Sequence, residues 1–201
     1  MTSTPPRTRL SPSARRESIL RVALAAFARA PYAQVSVSGI AAQAGVSEAL
    51  VHRYFEGKPG LYAEVVAAAS ATLLARQQAA EAALPLGAPA RERVKAALHA
   101  YLDHITDDEA GWSAPFRATG NEPESALELR RGIRADYVQR LANLLGPDPG
   151  PRRTYALWGY FGFIDAACAA WVERGMPDDE RHALVEAALG ALEGALGDWG
   201  R

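Results

Sequence analysis

The sequence predicts an all-α fold of about nine helices, a short N-terminal set followed by a larger bundle. Three observations point there. Of 201 residues, 42 are Ala and only two are Asn, and Ala is the strongest helix former. Val and Ile seldom alternate with polar residues, so the period-two pattern of half-buried strands is missing. Gly and Pro gather at a few places and leave long uninterrupted runs between them. A content of 49% apolar and 22% charged residues supports a sizeable core and excludes a disordered or fibrous chain. The single Cys168 excludes an internal disulfide and a CxxC site.

Ile19, Val22, Ala23, Ala26 and Phe27 recur at helical spacing behind Ser13, a suitable cap, and Pro31 stops this first helix near Ala30. Ser36 caps a short helix through Ala44, Gly45 suits its left-handed end, and Ser47 caps a third helix reaching Tyr54 or Phe55. A helix over about 59–84 opens with Pro59 in its first turn and ends before Pro85. Further helices are expected at about 91–106, 112–119, 123–145, 152–174 and 178–197, separated by Gly- and Pro-bearing breaks. The stretch from Tyr155 to Val172 carries only Asp165 as a charge and approaches membrane-spanning length. An Asp near the centre of a span costs about 2.5–3.5 kcal/mol, and its many Ala and Gly return little, so a buried bundle helix is expected and no membrane contact. The Pro- and Arg-bearing N-terminus has no apolar run behind it and reads as no secretory signal, so a cytoplasmic protein is expected.

Charge is divided unevenly. Residues 1–60 hold eight Arg or Lys against Glu17, Glu48 and Glu56, a net +5, while the remainder is net −6. A basic head on an acidic body suggests a polyanion partner for the head. Within it, Ile40, Ala44, Val46, Val51 and Tyr54 are apolar or aromatic anchors, Ala41 is small, and Gly45 sits at a bend. Two short helices crossing steeply need these types, and the second then projects its first-turn side chains outward, where they can enter a major groove.

The run from Val35 to Leu61, above all Ala-Gly-Val-Ser at 44–47 and Tyr54-Phe55-x-x-Lys58-x-x-Leu61, closely resembles the N-terminal signature of the TetR family of bacterial transcriptional regulators. Similarity at motif level covers about residues 13–65. The resemblance implies a three-helix helix-turn-helix domain over 1–60 with a basic arm, joined to an effector-binding and dimerisation domain over 61–201. It implies a homodimer on palindromic double-stranded operator DNA, acting as a repressor and released by a small-molecule effector. Ser47, Glu48, Ala49, Leu50, His52 and Arg53 would then lie on or near the groove-facing side of the recognition helix. Tyr54 and Lys58 would touch phosphates, and Val37 and Ser38 match positions that also meet DNA. The chemistry agrees: Lys58 and the amides opening the next helix suit a phosphate oxygen, and Arg53 can read guanine with two bonds. Glu48 can accept from cytosine N4, or simply stabilise its helix N-terminus. Arg7, Arg9, Arg15 and Arg16 offer phosphate or minor-groove contacts.

At 100° per residue, Gly159, Gly162, Ala166, Ala169 and Ala170 fall on one side of the 152–174 helix. Leu157, Tyr160, Phe161, Ile164, Cys168 and Trp171 fall on the other. The last helix offers a matching small stripe in Leu184, Ala187, Ala188, Ala191 and Ala195. Two such helices from each of two subunits would form a four-helix seam, with Gly159, Gly162, Ala166, Ala169, Leu184, Ala188, Ala191 and Ala195 at the interface. Trp112, Phe116, Tyr137, Tyr155, Trp158, Phe161 and Phe163 exceed what a small four-helix core needs. The resemblance suggests an effector site among them, with Asp165 as polar contact, although any one of them taken singly is expected to fill the core before it meets a ligand. His99, Asp103 and His104 do not converge, since the fifth residue turns away, so no metal is expected. No GxGxxG, P-loop, HExxH or GxSxG occurs, and neither an enzyme nor a cofactor is expected. The rival reading is a helical small-molecule carrier or cryptic enzyme whose N-terminal trihelix is only a scaffold.

Overall fold

A computed structural model of the chain describes residues 11–107, 122–148 and 150–197. The expected helix at 112–119, with Trp112 and Phe116, lies outside the described residues, as do Arg7 and Arg9. Among the described residues there are eight α-helices and no strand. They are α1 (Pro12–Arg29), α2 (Val37–Ala44), α3 (Glu48–Phe55), α4 (Lys58–Ala82), α5 (Ala90–Asp107), α6 (Glu124–Leu144), α7 (Pro151–Glu173) and α8 (Arg181–Leu196). Short 3₁₀ turns at Tyr32–Gln34 and Asp178–Glu180 join α1 to α2 and lead into α8.

Local chemistry sets the N-terminal elements. Ser11, not Ser13, caps α1: its hydroxyl accepts from the Ala14 amide at 3.2 Å. Pro12 explains the shift, because it disfavours helical backbone at the preceding residue and suits the first helical position itself. Ser36 accepts from the Gly39 amide at 3.1 Å and Ser47 from the Leu50 amide at 3.3 Å, as their positions required. Between them Gly45 takes φ 65°, and the Val46 amide closes the end of α2 on Ala41 O at 3.0 Å. The chain turns from α3 into α4 through Glu56 at φ 56° and Gly57 at φ 94°.

Apolar side chains collect into two cores. The first joins Ile19, Ala23 and Phe27 of α1, Ile40 of α2, Val51 and Phe55 of α3, and Leu61, Tyr62, Val65 and Val66 of α4, with Ala126 of α6 completing it. The second is built by α5, α7 and α8 around Leu102, Ile105, Leu157, Ile164, Trp171, Val185, Leu189 and Leu192. Leu73 of α4 and Leu141 of α6 belong to this second core. Both α4 and α6 therefore pass from one core to the other, and they pack against each other on the way. Cys168 is fully buried, and burial pushes its thiol up to about 12, so it stays an unreactive thiol.

The α3–α4 corner is the tightest place in the head. A Cβ on Gly60 would fall 2.0 Å from the Phe55 carbonyl oxygen, a backbone atom that cannot swing aside. Gly60→Ala should therefore lower the unfolding free energy by about 1–3 kcal/mol in urea titrations. An unchanged midpoint would show that the corner is slack.

Candidate nucleic-acid interface and ligand cavity

Helix α3 is two-faced. Val51 and Phe55 are buried in the head's core, while Ser47, Glu48, Ala49, His52 and Arg53 are exposed and Leu50 and Tyr54 are half-buried. The exposed set occupies the opening turns and outer edge of a helix whose heel is fixed, which is the arrangement a groove reader needs. Glu48 and His52 approach to 3.7 Å across one turn. Val37 is a correction: its side chain is 8% exposed and belongs to the core, whereas Ser38 beside it is exposed. The β-branched side chain faces inward because Ile40 and Ala41, one turn on, share its side of α2.

Cations at this surface rest on rings. Lys58 Nζ sits 4.4 Å from the centre of the Tyr32 ring and donates to Ala33 O at 3.5 Å, and partial burial lowers its pKa. The Arg53 guanidinium lies 5.6 Å from the Tyr54 ring centre. Arg16, grouped by sequence with the basic arm, is part of α1 instead. It donates to Glu64 at 2.6 Å and covers the Phe55 ring at 4.9 Å, clamping α3 between α1 and α4.

A cavity of about 470 Å³ opens between α4, α5, α6 and α7. Leu73, Leu98, Tyr101, Ile133, Tyr160 and Ile164 supply part of its apolar wall, and Arg130, Arg134, Tyr137 and Arg140 line the α6 side. Of the aromatics nominated from sequence, Tyr137 and Phe161 line it, and Asp165 stands at its edge bonded to Arg134. Tyr155 and Trp158 do not: they are 78% and 45% exposed and face outward. The inward stripe of α7 is Leu157, Tyr160, Ile164, Cys168 and Trp171, and residues two and five before Tyr160 fall on the opposite side of a 3.6-residue helix.

The outward face of α7 joins Tyr155 and Trp158 to exposed Gly159, Gly162, Phe163 and Ala166. A Cβ added at Gly159, Gly162, Gly190 or Gly194 would meet nothing within 4 Å. Ala169, Leu184, Ala191 and Ala195 are half-buried. Ala188 is another correction: at 0% exposure it packs inside its own subunit beside Val185, Leu189 and Leu192. Arg181 binds Asp103 and donates to the His99 carbonyl at 3.1 Å, so the 99–104 segment is engaged with α8. Among the described residues no side-chain cluster could hold a metal ion, and no helix is long and apolar enough to cross a membrane.

One constellation escaped the sequence reading. Glu122, with its side chain 1% exposed, pairs with Arg130, and Tyr62 Oη donates to Glu122 at 2.7 Å while accepting from Arg130 at 2.9 Å. Burial and the bond to Glu122 push the Tyr62 hydroxyl up to about 12, so it remains a donor. The Tyr62 ring in turn packs on Phe27 and Tyr32 at 4.8 and 4.9 Å. The spacing of Arg130, Arg134, Tyr137, Leu141 and Leu144 puts them along one face of α6, but it gives no sign of Tyr62 or Glu122.

The family described as "Bacterial regulatory proteins, tetR family" matches residues 19–65, from the middle of α1 into α4. The HTH-type transcriptional regulator BetI of Agrobacterium fabrum is 30% identical over 144 residues, 69% of this chain and 68% of that protein. The chain belongs to the TetR family. It is a transcriptional regulator of the helix-turn-helix type, and its relatives are regulators, not enzymes. A tetR-family transcriptional regulator from Streptomyces coelicolor is 25% identical with a TM-score of 0.71, the match covering 94% of this chain and 91% of that one. A TetR-like transcriptional regulator from Rhodococcus, 20% identical, shares the fold at a TM-score of 0.72 over 94% of this chain and all (100%) of its own. The family's signature lies in the TetR head, while the 30% identity over 144 residues runs on into the bundle.

Removing Glu122 should test how much the buried cluster supports this TetR fold. Glu122→Ala leaves the Arg130 charge without its closest carboxylate in a dry setting, and a loss of about 3–5 kcal/mol is expected by chemical unfolding. A loss under about 1 kcal/mol would mean that water reaches Arg130 freely.

Proposed function

We propose that the protein is a homodimeric repressor that binds palindromic operator DNA and is released by a small-molecule effector. The observation carrying this reading is the exposed edge of α3, with Ser47, Glu48, His52 and Arg53 outward, Val51 and Phe55 anchored inward, and a surrounding head that is net basic. In this reading Arg53 addresses a base edge and Tyr54 and Lys58 hold phosphates on either side, with Ser38 at the start of α2 as a further contact. Residues 1–60 serve as the reading head and 61–201 as the effector and pairing body. The work is cytoplasmic, where the operator is.

Pairing is assigned to the outward faces of α7 and α8. Exposed Tyr155, Trp158 and Phe163 beside bare Gly159, Gly162 and Ala166 form an apolar strip that a second copy can cover, and glycines permit close backbone approach. A two-fold axis there presents two α3 helices to successive major grooves. The cavity is assigned to the effector. Its α4 and α6 walls also contribute to the head's core, and Arg130 lies on the cavity lining while bonded to Tyr62 beneath the head. A ligand that favours a displaced α4 would change the separation of the two heads. Releasing DNA a hundredfold requires a preference for the non-binding conformer of about 2.7 kcal/mol.

Selection from random duplexes should return a palindrome, and sedimentation should give a dimer. A monomer, or no binding at low salt, would defeat the proposal. Lys58→Ala should weaken all duplexes alike and reduce the slope of log affinity against log salt by about 2, about one for each subunit's lysine. Arg53→Ala should instead relax selectivity at one base pair of each half-site, at about 1–3 kcal/mol. Unaltered selectivity would remove Arg53 from base reading.

A further inference from the structure

The cavity walls specify more than an apolar ligand. Four guanidinium groups line them, those of Arg93, Arg130, Arg134 and Arg140, against the carboxylates of Glu81 and Asp165. Arg93 is paired with Glu81, Arg134 with Asp165, and Arg130 with Glu122. Among the described residues no carboxylate lies within ion-pair distance of Arg140, an exposed residue, so it is the one lining guanidinium left to solvent or a ligand.

Beside it stands an unmet donor. Tyr137 precedes Arg140 by three residues on α6, so the two share a side of the helix. The Tyr137 hydroxyl oxygen is buried without a hydrogen-bond partner among the described residues, a costly state for a polar group that nothing else satisfies. Burial pushes its pKa up to about 12 and the nearby Arg140 charge lowers it in part, so the hydroxyl is protonated and within electrostatic reach of the guanidinium. A neutral donor and a cation without a carboxylate partner thus lie one turn apart on the α6 wall of a chamber whose other walls carry leucine, isoleucine and aromatic side chains together with Gln77, Gln78 and the paired Arg93–Glu81 and Arg134–Asp165.

Resting on the assignment of this cavity to the effector, we propose that its ligand is an amphipathic organic monocarboxylate. The carboxylate meets Arg140, a small turn of the Tyr137 ring brings its buried hydroxyl to the same group, and the apolar body lies against α4, α5 and α7. Arg and carboxylate match in plane and spacing, and a charge-assisted bond is stronger than a neutral one. A single unmatched cation suits a monoanion and leaves a phosphate dianion half-compensated. A cationic ligand would face the excess guanidinium charge directly.

Calorimetric titration of the intact protein with matched probes tests this. Decanoate, decanol and decylamine share a linear body, and naphthoate and naphthalenemethanol share a flat one. In at least one set the carboxylate should bind tenfold or more tightly than its alcohol, and decylamine should bind more weakly than either. Tyr137→Phe and Arg140→Gln should each weaken that carboxylate about fivefold to tenfold while leaving the alcohol unchanged, with thermal unfolding checked to show that both variants fold. Equal binding of alcohol and carboxylate, preference for the amine, no binding of either carboxylate, or indifference to both substitutions overturns the inference. Operator release is read in parallel by fluorescence anisotropy. A carboxylate that binds selectively yet leaves the DNA complex intact upholds the ligand class and defeats the effector reading. Release by a neutral or cationic compound, with no carboxylate bound, does the reverse.

Discussion

The relative placement of head and body depends on a dry ion pair closed by a phenol. Glu122 is withdrawn from water and Arg130 largely so, and the hydration they give up is returned only by good geometry. That geometry includes Tyr62 Oη, which donates to one partner and accepts from the other. Since Tyr62 belongs to α4 and Arg130 to α6, the three groups are satisfied in only one register of those helices. The Tyr62 ring sits within the aromatic cluster of Phe27 and Tyr32, so the same register fixes α6 against the head. Polar clusters of this kind specify an arrangement more than they stabilise it.

The charges of the body and the head are used differently. In the body, arginine is largely matched to carboxylate: Arg76 to Asp107, Arg91 to Glu186, Arg174 to Glu180 and Arg181 to Asp103. These pairs are at least partly exposed, and each contributes about 0–1 kcal/mol, but three of them tie α5 to α4 and α8, and Arg174–Glu180 braces the turn between α7 and α8. On the head, Arg53 and Lys58 lie over rings, and among the described residues neither has a carboxylate partner. An aromatic platform orients a cation without neutralising it, so the charge stays available to a phosphate or base edge.

What the sequence disclosed followed the range of the forces involved. Helices, caps and the bend at Gly45 depend on neighbours within about four residues, and Ser36, Gly45 and Ser47 behave as their chemistry demands. Pro12 moved one cap from Ser13 to Ser11, a local competition resolved by proline. The 100° wheel gave the buried stripe of α7 correctly, yet the surplus of aromatics was misread, because Tyr155 and Trp158 fall on the outward face. Ala188 and Val37 were misplaced for a related reason: small or β-branched residues suit a close contact equally well within a subunit and outside it. The Tyr62–Glu122–Arg130 cluster was illegible, since its members stand 60 and 68 positions apart and no periodicity connects them.

The bare Cα at Gly60 has a mechanical consequence. With Phe55 O pressed against it, the last turn of α3 and the first turn of α4 have no room to slide, so the two helices move as one bent rod. Helix α4 has 25 residues, about 37 Å of length at 1.5 Å per residue. A tilt of about 5° at its far end would carry the corner roughly 3 Å sideways. That is a sizeable fraction of one base-pair step, and an elbow without play delivers it undiminished to the fingertip.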